Sequence, residues 1–289
     1  MKLKFTKWQG CGNDFVLVND MDETIKDKAA LAKEICDRHY GVGADGLILM
    51  LPSKKADLCM RIFNTDGSEA EMCGNGIRCF ARLAYEEGIV KSDEFTIETG
   101  AGILVPRIVQ EGGRISGVCV DMGEPHLVAK DIPVTAFAGK GDDDRIVNEP
   151  MTVGGKDFHV TCVSMGNPHC VVFLDDDGYD MSTFPIKEIG PKFEMDPHFP
   201  RKTNTEFIHV VDRSHVRMRV WERGAAVTLA CGTGACATTV ACVLSDKTER
   251  AVDIELDGGK LHVEWGADNH AYMTGPAVKV FEGIYENEK

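Results

Sequence analysis

The chain has 289 residues, with 46 acidic against 32 basic side chains and a formal net charge of −14. That length accommodates two domains, and the acidic balance argues against a nucleic-acid partner, which requires a basic face. No stretch reaches the ~18 uninterrupted apolar residues of a membrane span. Residues 1–8 lack the apolar core of a secretory signal, and eleven cysteines without an export signal point to a reducing cytoplasm.

In chain order, β-branched or alternating runs ending at Gly, Asp, Asn or Pro predict strands at 2–8, 15–19, 47–51, 58–64, 94–98, 103–109 and 115–121. A second series follows at 158–163, 170–174, 205–211, 216–221, 252–256, 260–265 and 278–281. Helices are expected at 28–38, 74–87 and 232–244. The last has no charged residue from Ala235 to Ser245, so it should be buried on all sides. Its counterpart carries Arg78, Arg82 and Glu86 as one polar stripe on an apolar cylinder. Segment 138–148, with Asp142, Asp143 and Asp144, reads as an exposed acidic loop.

Two near-copies of one motif organise the chemistry. Cys73 lies in Met72-Cys73-Gly74-Asn75-Gly76, and Cys231 in Ala230-Cys231-Gly232-Thr233-Gly234. Residues 60–81 and 218–239 superpose without a gap, with Arg61 on Arg219, Phe63 on Trp221 and Asn64 on Glu222. Each sulfur therefore precedes a helix, whose free amides and dipole should favour thiolate and can grip a carboxylate. One such motif alone reads as a buried cysteine under a turn. Duplicated, it offers an acid and a base for the two faces of one carbon. The duplication predicts an α+β fold of two pseudo-equivalent domains, each a curled, mostly antiparallel sheet around a central buried helix. The expected halves are 1–122 and 123–275, with a final strand in 276–289 returning to the first.

Other chemistries have less support. No C-x-x-C spacing occurs, so no metal is expected. Gly41-Val42-Gly43-Ala44-Asp45-Gly46 satisfies G-x-G-x-x-G, but it follows a helix and opens a strand, the reverse of a dinucleotide site. No phosphate-cradling loop with a partner lysine suggests pyridoxal phosphate.

The string from Asn64-Thr65-Asp66-Gly67-Ser68 through Cys73-Gly74-Asn75-Gly76 to Arg78 resembles the diaminopimelate epimerase family. So do Gly10-Cys11-Gly12-Asn13-Asp14-Phe15, Met165-Gly166-Asn167-Pro168-His169, Arg201-Lys202-Thr203-Asn204, Trp221-Glu222-Arg223-Gly224 and the Cys231 block. The resemblance spans essentially the whole chain. It implies a cofactor-independent epimerase that interconverts LL- and meso-2,6-diaminopimelate for lysine and cell-wall precursor synthesis. Cys73 and Cys231 would be acid and base, with Cys231 the acceptor from the LL isomer. His169 and Glu222 would tune the thiols. Asn13, Asn64, Asn167, Asn204, Glu222 and Arg223, with the amides of Gly74, Asn75, Gly232 and Thr233, would hold substrate. Some members carry glutamine where this chain has Gly46, so no side-chain contact is expected there. The resemblance also implies a cytoplasmic homodimer with no nucleic-acid or membrane partner. The nearest alternative is a proline racemase-like enzyme, and a different class is a non-catalytic thiol-bearing binding protein.

Overall fold

The chain divides into two compact units, Met1–Asp121 with Thr274–Lys289, and Met122–Met273. The computed structural model describes residues 2–135 and 137–286; the end of the expected returning strand, 287–289, lies outside these, as do residues 1 and 136.

The first unit contains β1 (Lys2–Gly10), β2 (Asn13–Asn19), α1 (Lys28–Ile35), β3 (Gly46–Leu51), β4 (Leu58–Asn64), β5 (Glu69–Ala70), α2 (Gly74–Glu86), β6 (Ile97–Thr99), β7 (Gly102–Leu104), β8 (Arg107–Glu111) and β9 (Arg114–Asp121). The second contains β10 (Glu149–Val153), β11 (Lys156–Ser164), β12 (Pro168–Phe173), α3 (Ile186–Glu194), β13 (Asn204–Asp212), β14 (His215–Glu222), β15 (Ala226–Thr228), α4 (Gly232–Leu244), β16 (Ala251–Leu256) and β17 (Gly259–Trp265). β18 (Ala271–Gly275) runs across the division at Met273, and β19 (Val278–Glu286) lies beside β1 in the first unit, with Lys2 opposite Glu286.

Duplication is visible strand by strand. The first sheet runs β19-β1-β2-β3-β4-β6-β7 and the second β10-β11-β12-β13-β14-β16-β17 before β18. Along each path the pairs are antiparallel, antiparallel, parallel, antiparallel, parallel, antiparallel. Parallel neighbours need crossovers, and helices supply them. α1 and α3 join β2 to β3 and β12 to β13, while α2 and α4 follow the short ribbons β4–β5 and β14–β15. Each unit is thus a mixed, mainly antiparallel sheet with its Cys-capped helix packed on one face, an α+β architecture. α2 packs on β1, β2, β3 and β4, and α4 on β11, β12, β13, β16 and β17. The opposite faces hold α1 over Val16, Leu47, Leu49 and Phe63, and α3 over Cys170, Val172 and Phe207. Strands β3 and β12 are buried along their whole length because helices cover both faces.

Local chemistry moves several expected boundaries. α1 stops at Ile35 because Asp37 Oδ1 accepts the amides of His39 and Tyr40, while those of Val42 and Gly43 close onto the Ile35 carbonyl. The expected strand at 94–98 is only Ile97–Thr99, since Asp57 Oδ2 takes the Thr96 amide and hydroxyl. The run at 103–109 splits at Pro106, which has no amide for a ladder. α3 was not expected: Gly190 and Pro191 read as breakers, yet both lie inside it.

α4 occupies the expected residues, with every residue from Gly234 to Cys242 buried. On α2 the polar stripe is corrected. Arg82 and Glu86 form an ion pair at 2.7 Å, but Arg78 is completely buried. Among the described residues, no helix is long and apolar enough to cross a membrane.

Candidate active site

The first cluster forms around Cys73. Cys11 and Gly12 both have positive φ, 53° and 81°, a two-residue hairpin turn that delivers Asn13 at the head of β2. Asn13 Nδ2 donates to Asp45 Oδ2 at 2.8 Å, which turns Oδ1 towards Asn75 Nδ2 at 3.2 Å and the Cys73 thiol at 3.6 Å. Cys73 caps α2 in extended conformation (φ −145°, ψ 120°) and is half-buried. Beneath it, Arg78 donates to Asn75 Oδ1 at 2.8 Å, the Gly74 carbonyl at 3.0 Å and the Pro276 carbonyl at 3.2 Å. Asp45 also binds Arg38, which shares Asp14 with the buried Lys7. Burial alone would raise the Asp14 carboxyl, but hydrogen bonds from Arg38 and Lys7 bring it down to about 2.

The second cluster is more deeply buried. Cys231 caps α4 with the same extended geometry (φ −125°, ψ 112°), and its sulfur accepts the Gly234 amide at 3.3 Å. Thr233 Oγ1 lies 3.5 Å from that sulfur and accepts from Asn167 Nδ2 at 3.3 Å. Asn167 Oδ1 faces His169 Nε2 at 3.0 Å, and His169 Nδ1 lies 2.7 Å from Glu206 Oε1. Both His169 and Glu206 are fully buried. The Glu222 carboxyl accepts from the Thr228 hydroxyl.

The thiol chemistry departs from expectation here. Burial pushes the Cys231 thiol well above its ordinary range, and the charges of Glu222 and Glu206 push the same way. The Thr233 hydroxyl and the Gly234 amide pull it down but do not win. A helix N-terminus alone would favour thiolate; a buried sulfur between two carboxylates keeps its proton. Burial also raises Glu222, with Glu206 adding to the rise against the Thr228 hydroxyl and His169.

The expected residues divide cleanly. Asn13, Cys73, Gly74 and Asn75 meet in the first unit, whereas Asn64 binds its own turn, its amide on the Ser68 carbonyl and Nδ2 on Ser68 Oγ at 2.9 Å. In the second unit Asn167, His169, Thr233 and Cys231 form one chain of contacts. Asn204 is buried at the head of β13, where its Oδ1 accepts the Arg223 amide at 2.8 Å and its Nδ2 donates to the Pro168 carbonyl. Arg223 is exposed, with Nη1 on the Arg201 carbonyl at 2.9 Å. Asp45 and Glu206 were not anticipated. The sequence signal for Glu206 is a carboxylate inside an otherwise apolar or β-branched strand; its burial comes from α3 and α4 packing on β13.

A family profile described as Diaminopimelate epimerase matches residues 5–128 and 161–280. The chain belongs to the diaminopimelate epimerase family. It is 54% identical to a diaminopimelate epimerase of Moorella thermoacetica over 98% of this chain and 99% of that one. To one of Desulfovibrio desulfuricans it is 53% identical, covering 98% of each chain. Solved structures extend the fold more widely. A Bacillus anthracis phenazine biosynthesis protein of the PhzF family superposes with TM-score 0.66 at 18% identity, over 98% of this chain and 99% of that one. A hydroxyproline epimerase of Agrobacterium vitis gives 0.65 at 14%, over 98% and 92%. At such identity these two speak only for the fold. Diaminopimelate epimerase relatives make this chain an isomerase.

Proposed function

We propose that this enzyme interconverts LL- and meso-2,6-diaminopimelate by proton transfer at the α-carbon, with Cys73 and Cys231 as the two acid/base groups and no cofactor. The observation that carries the reading is a pair of cysteines in duplicate units, each capping a helix N-terminus behind Gly-x-Gly. Inversion needs an acceptor on one face of the carbon and a donor on the other. As negative charge develops on the substrate carboxylate, the first-turn amides of Gly74, Asn75, Gly232 and Thr233 are preorganised donors for it. From the LL isomer Cys231 is assigned as acceptor and Cys73 as donor, and the two roles exchange in the reverse direction.

Asn13, Asn64, Asn167, Asn204, Glu222 and Arg223 are proposed substrate contacts. The planar fork of exposed Arg223 suits a distal carboxylate. His169 and Glu222 are proposed to tune the thiols. A cytoplasmic homodimer acting in lysine synthesis completes the reading, and sedimentation velocity checks its oligomeric part.

The deciding experiment incubates purified protein with LL-diaminopimelate, and separately with L-proline, without added metal or pyridoxal phosphate. Formation of the meso isomer and inert proline are expected. Proline racemisation, or activity lost on chelation and restored by one specific metal, would overturn the proposal.

A further inference from the structure

The duplicated topology gives each residue of one cluster a counterpart in the other, and at one place the counterparts differ in kind. Phe15 stands opposite Gly46 across β2 and β3, as His169 stands opposite Asn204 across β12 and β13. Two residues further along, Ile48 corresponds to Glu206. The glycine ending each Gly-x-Gly confirms the match. A carbon added at Gly76 would meet Ile48 Cδ1 at 2.9 Å, and one added at Gly234 would meet Glu206 Oε1 at 2.6 Å and the Cys231 sulfur at 3.2 Å. So the apolar pair Phe15–Ile48 under α2 is replaced under α4 by the ion-pairing couple His169–Glu206. Both members of that couple are fully buried, and Glu206 Oε2 has no hydrogen-bond partner. An orphaned carboxylate oxygen is costly in a core, which argues that chemistry rather than packing holds it there.

We propose that Glu206 is a positioning residue of the reaction: it fixes His169 with Nδ1 as donor and sets a second carboxylate beside the Cys231 sulfur, at the place where the first unit has Ile48. Fixing the ring also aims an Nε2–H at Asn167 Oδ1, which accepts it. That leaves Asn167 Nδ2 for Thr233 Oγ1, the hydroxyl nearest Cys231. Among the described residues, the carboxylates of Glu222 on β14 and Glu206 on β13 act on the sulfur, and His169 on β12 acts on Glu222; from α4 come the Thr233 hydroxyl and the Gly234 amide. Glu206 thereby makes two otherwise duplicate thiols unequal and helps hold the proton on Cys231 until the reaction removes it. This inference rests on reading Cys231 as a proton-transfer thiol.

The test needs no turnover. The full-length protein and its Glu206→Gln variant are alkylated with iodoacetamide across a pH series, and modification of the Cys231 peptide is followed by mass spectrometry. In the variant the midpoint should fall. A drop of about one unit raises the thiolate fraction about tenfold, and the weaker nucleophile leaves a rate gain of about threefold below the midpoint. An unchanged or higher midpoint overturns the proposal. The variant His169→Phe/Glu206→Ile copies the pair of the first unit. Exchange of a buried ion pair for apolar side chains is often neutral in stability, and the Cys231 midpoint should fall here too; failure to fall counts against the proposal. In unmodified protein, ring 15N shifts of His169 should show Nδ1 protonated, and a proton on Nε2 alone would overturn the assignment with no variant needed. Full turnover by Cys231→Ala would instead sink the epimerase mechanism while leaving these titrations intact, so the two failures are distinguishable.

Discussion

Cys73 and Cys231 occupy one backbone design and two electrostatic environments. Both cap a helix from extended backbone, and both precede a glycine pressed against the sheet. At the fifth residue of α2, however, lies the fully buried guanidinium of Arg78, where α4 has Cys236. Under α4 lies Glu206, where the first unit has Ile48. One cluster thus has a buried cation and a half-exposed sulfur; the other has two carboxylates and a buried sulfur. Duplication kept the scaffold, and a few charge-bearing positions differentiate its halves. For a reaction that needs one donor and one acceptor at a time, that difference is useful. Two identical thiols would have no preferred starting arrangement, and their titrations would be hard to separate.

The largest test of the comparison removes either sulfur. Cys73→Ala and Cys231→Ala should each lower epimerisation by at least ~10²–10⁴-fold, the usual contribution of a general acid or base. Meso-diaminopimelate formation from the LL isomer reads the effect. If one variant kept near wild-type turnover, the other cysteine would be acting alone and the paired mechanism would fail.

Arg78→Met asks whether the buried cation is structural. Its guanidinium serves the Gly74 and Pro276 carbonyls and Asn75 Oδ1, and leaving those acceptors without donors should cost about 2–4 kcal/mol. Urea unfolding measures it. A loss under about 0.5 kcal/mol, the range of an ordinary surface substitution, would return Arg78 to the polar stripe that the sequence suggests.

That misplacement shows where sequence reasoning reached its limit. Cysteine, glycine and strand spacing are local signals, so both capped helices, the duplicate blocks and most strands were legible. Arg78, Arg82 and Glu86 share one helical face, and nothing local says that the first of them is enclosed by the chain around Pro276. Glu206 sits in Thr205-Glu206-Phe207-Ile208, where alternation suggests one wet face; two covering helices make both faces dry. Helix α3 was hidden by Gly190 and Pro191. Its reason is tertiary: the Trp221 ring lies against Gly190, and its Nε1 donates to Glu194 Oε2 at 2.8 Å. The upward push on the Cys231 thiol was equally invisible, because it depends first on the burial of the sulfur and then on carboxylates from β14 and β13 meeting at one helix end.

Acid should act on the first unit through Asp14. Its carboxyl is held at about 2 in the folded chain against an ordinary 3.8. A depressed carboxylate contributes stability above the unfolded value, and that contribution is lost as pH falls through the folded one. The window is therefore about pH 4 down to 2, worth about 2 kcal/mol at most. Urea midpoints across this range should fall less in Asp14→Asn than in wild type. Parallel acid curves would mean that the Lys7–Asp14–Arg38 group does not couple to folding.

The smallest effect concerns how each cluster aims an amide. Asn167 is aimed by the His169 ring, Asn13 by Asp45, whose Oδ2 takes Asn13 Nδ2 and so turns Oδ1 to Cys73 and Asn75. Asp45→Asn keeps the volume but can present an NH2 group to Asn13. The Asn13 amide could then turn over, setting its own NH2 against Asn75 Nδ2, donor against donor. Asp45 is partly exposed, with 44% of its side chain accessible, so water screens the lost charge and limits the damage. A lost hydrogen bond to a charged group is worth about 1.5 kcal/mol at this end of the range, which corresponds to about tenfold in kcat/KM. The alkylation profile of Cys231 should not move, since Asp45 belongs to the other cluster. Equal kcat/KM in variant and wild type would show that Asn13 needs no anchor. A shifted Cys231 profile would show that the two thiols are not tuned separately.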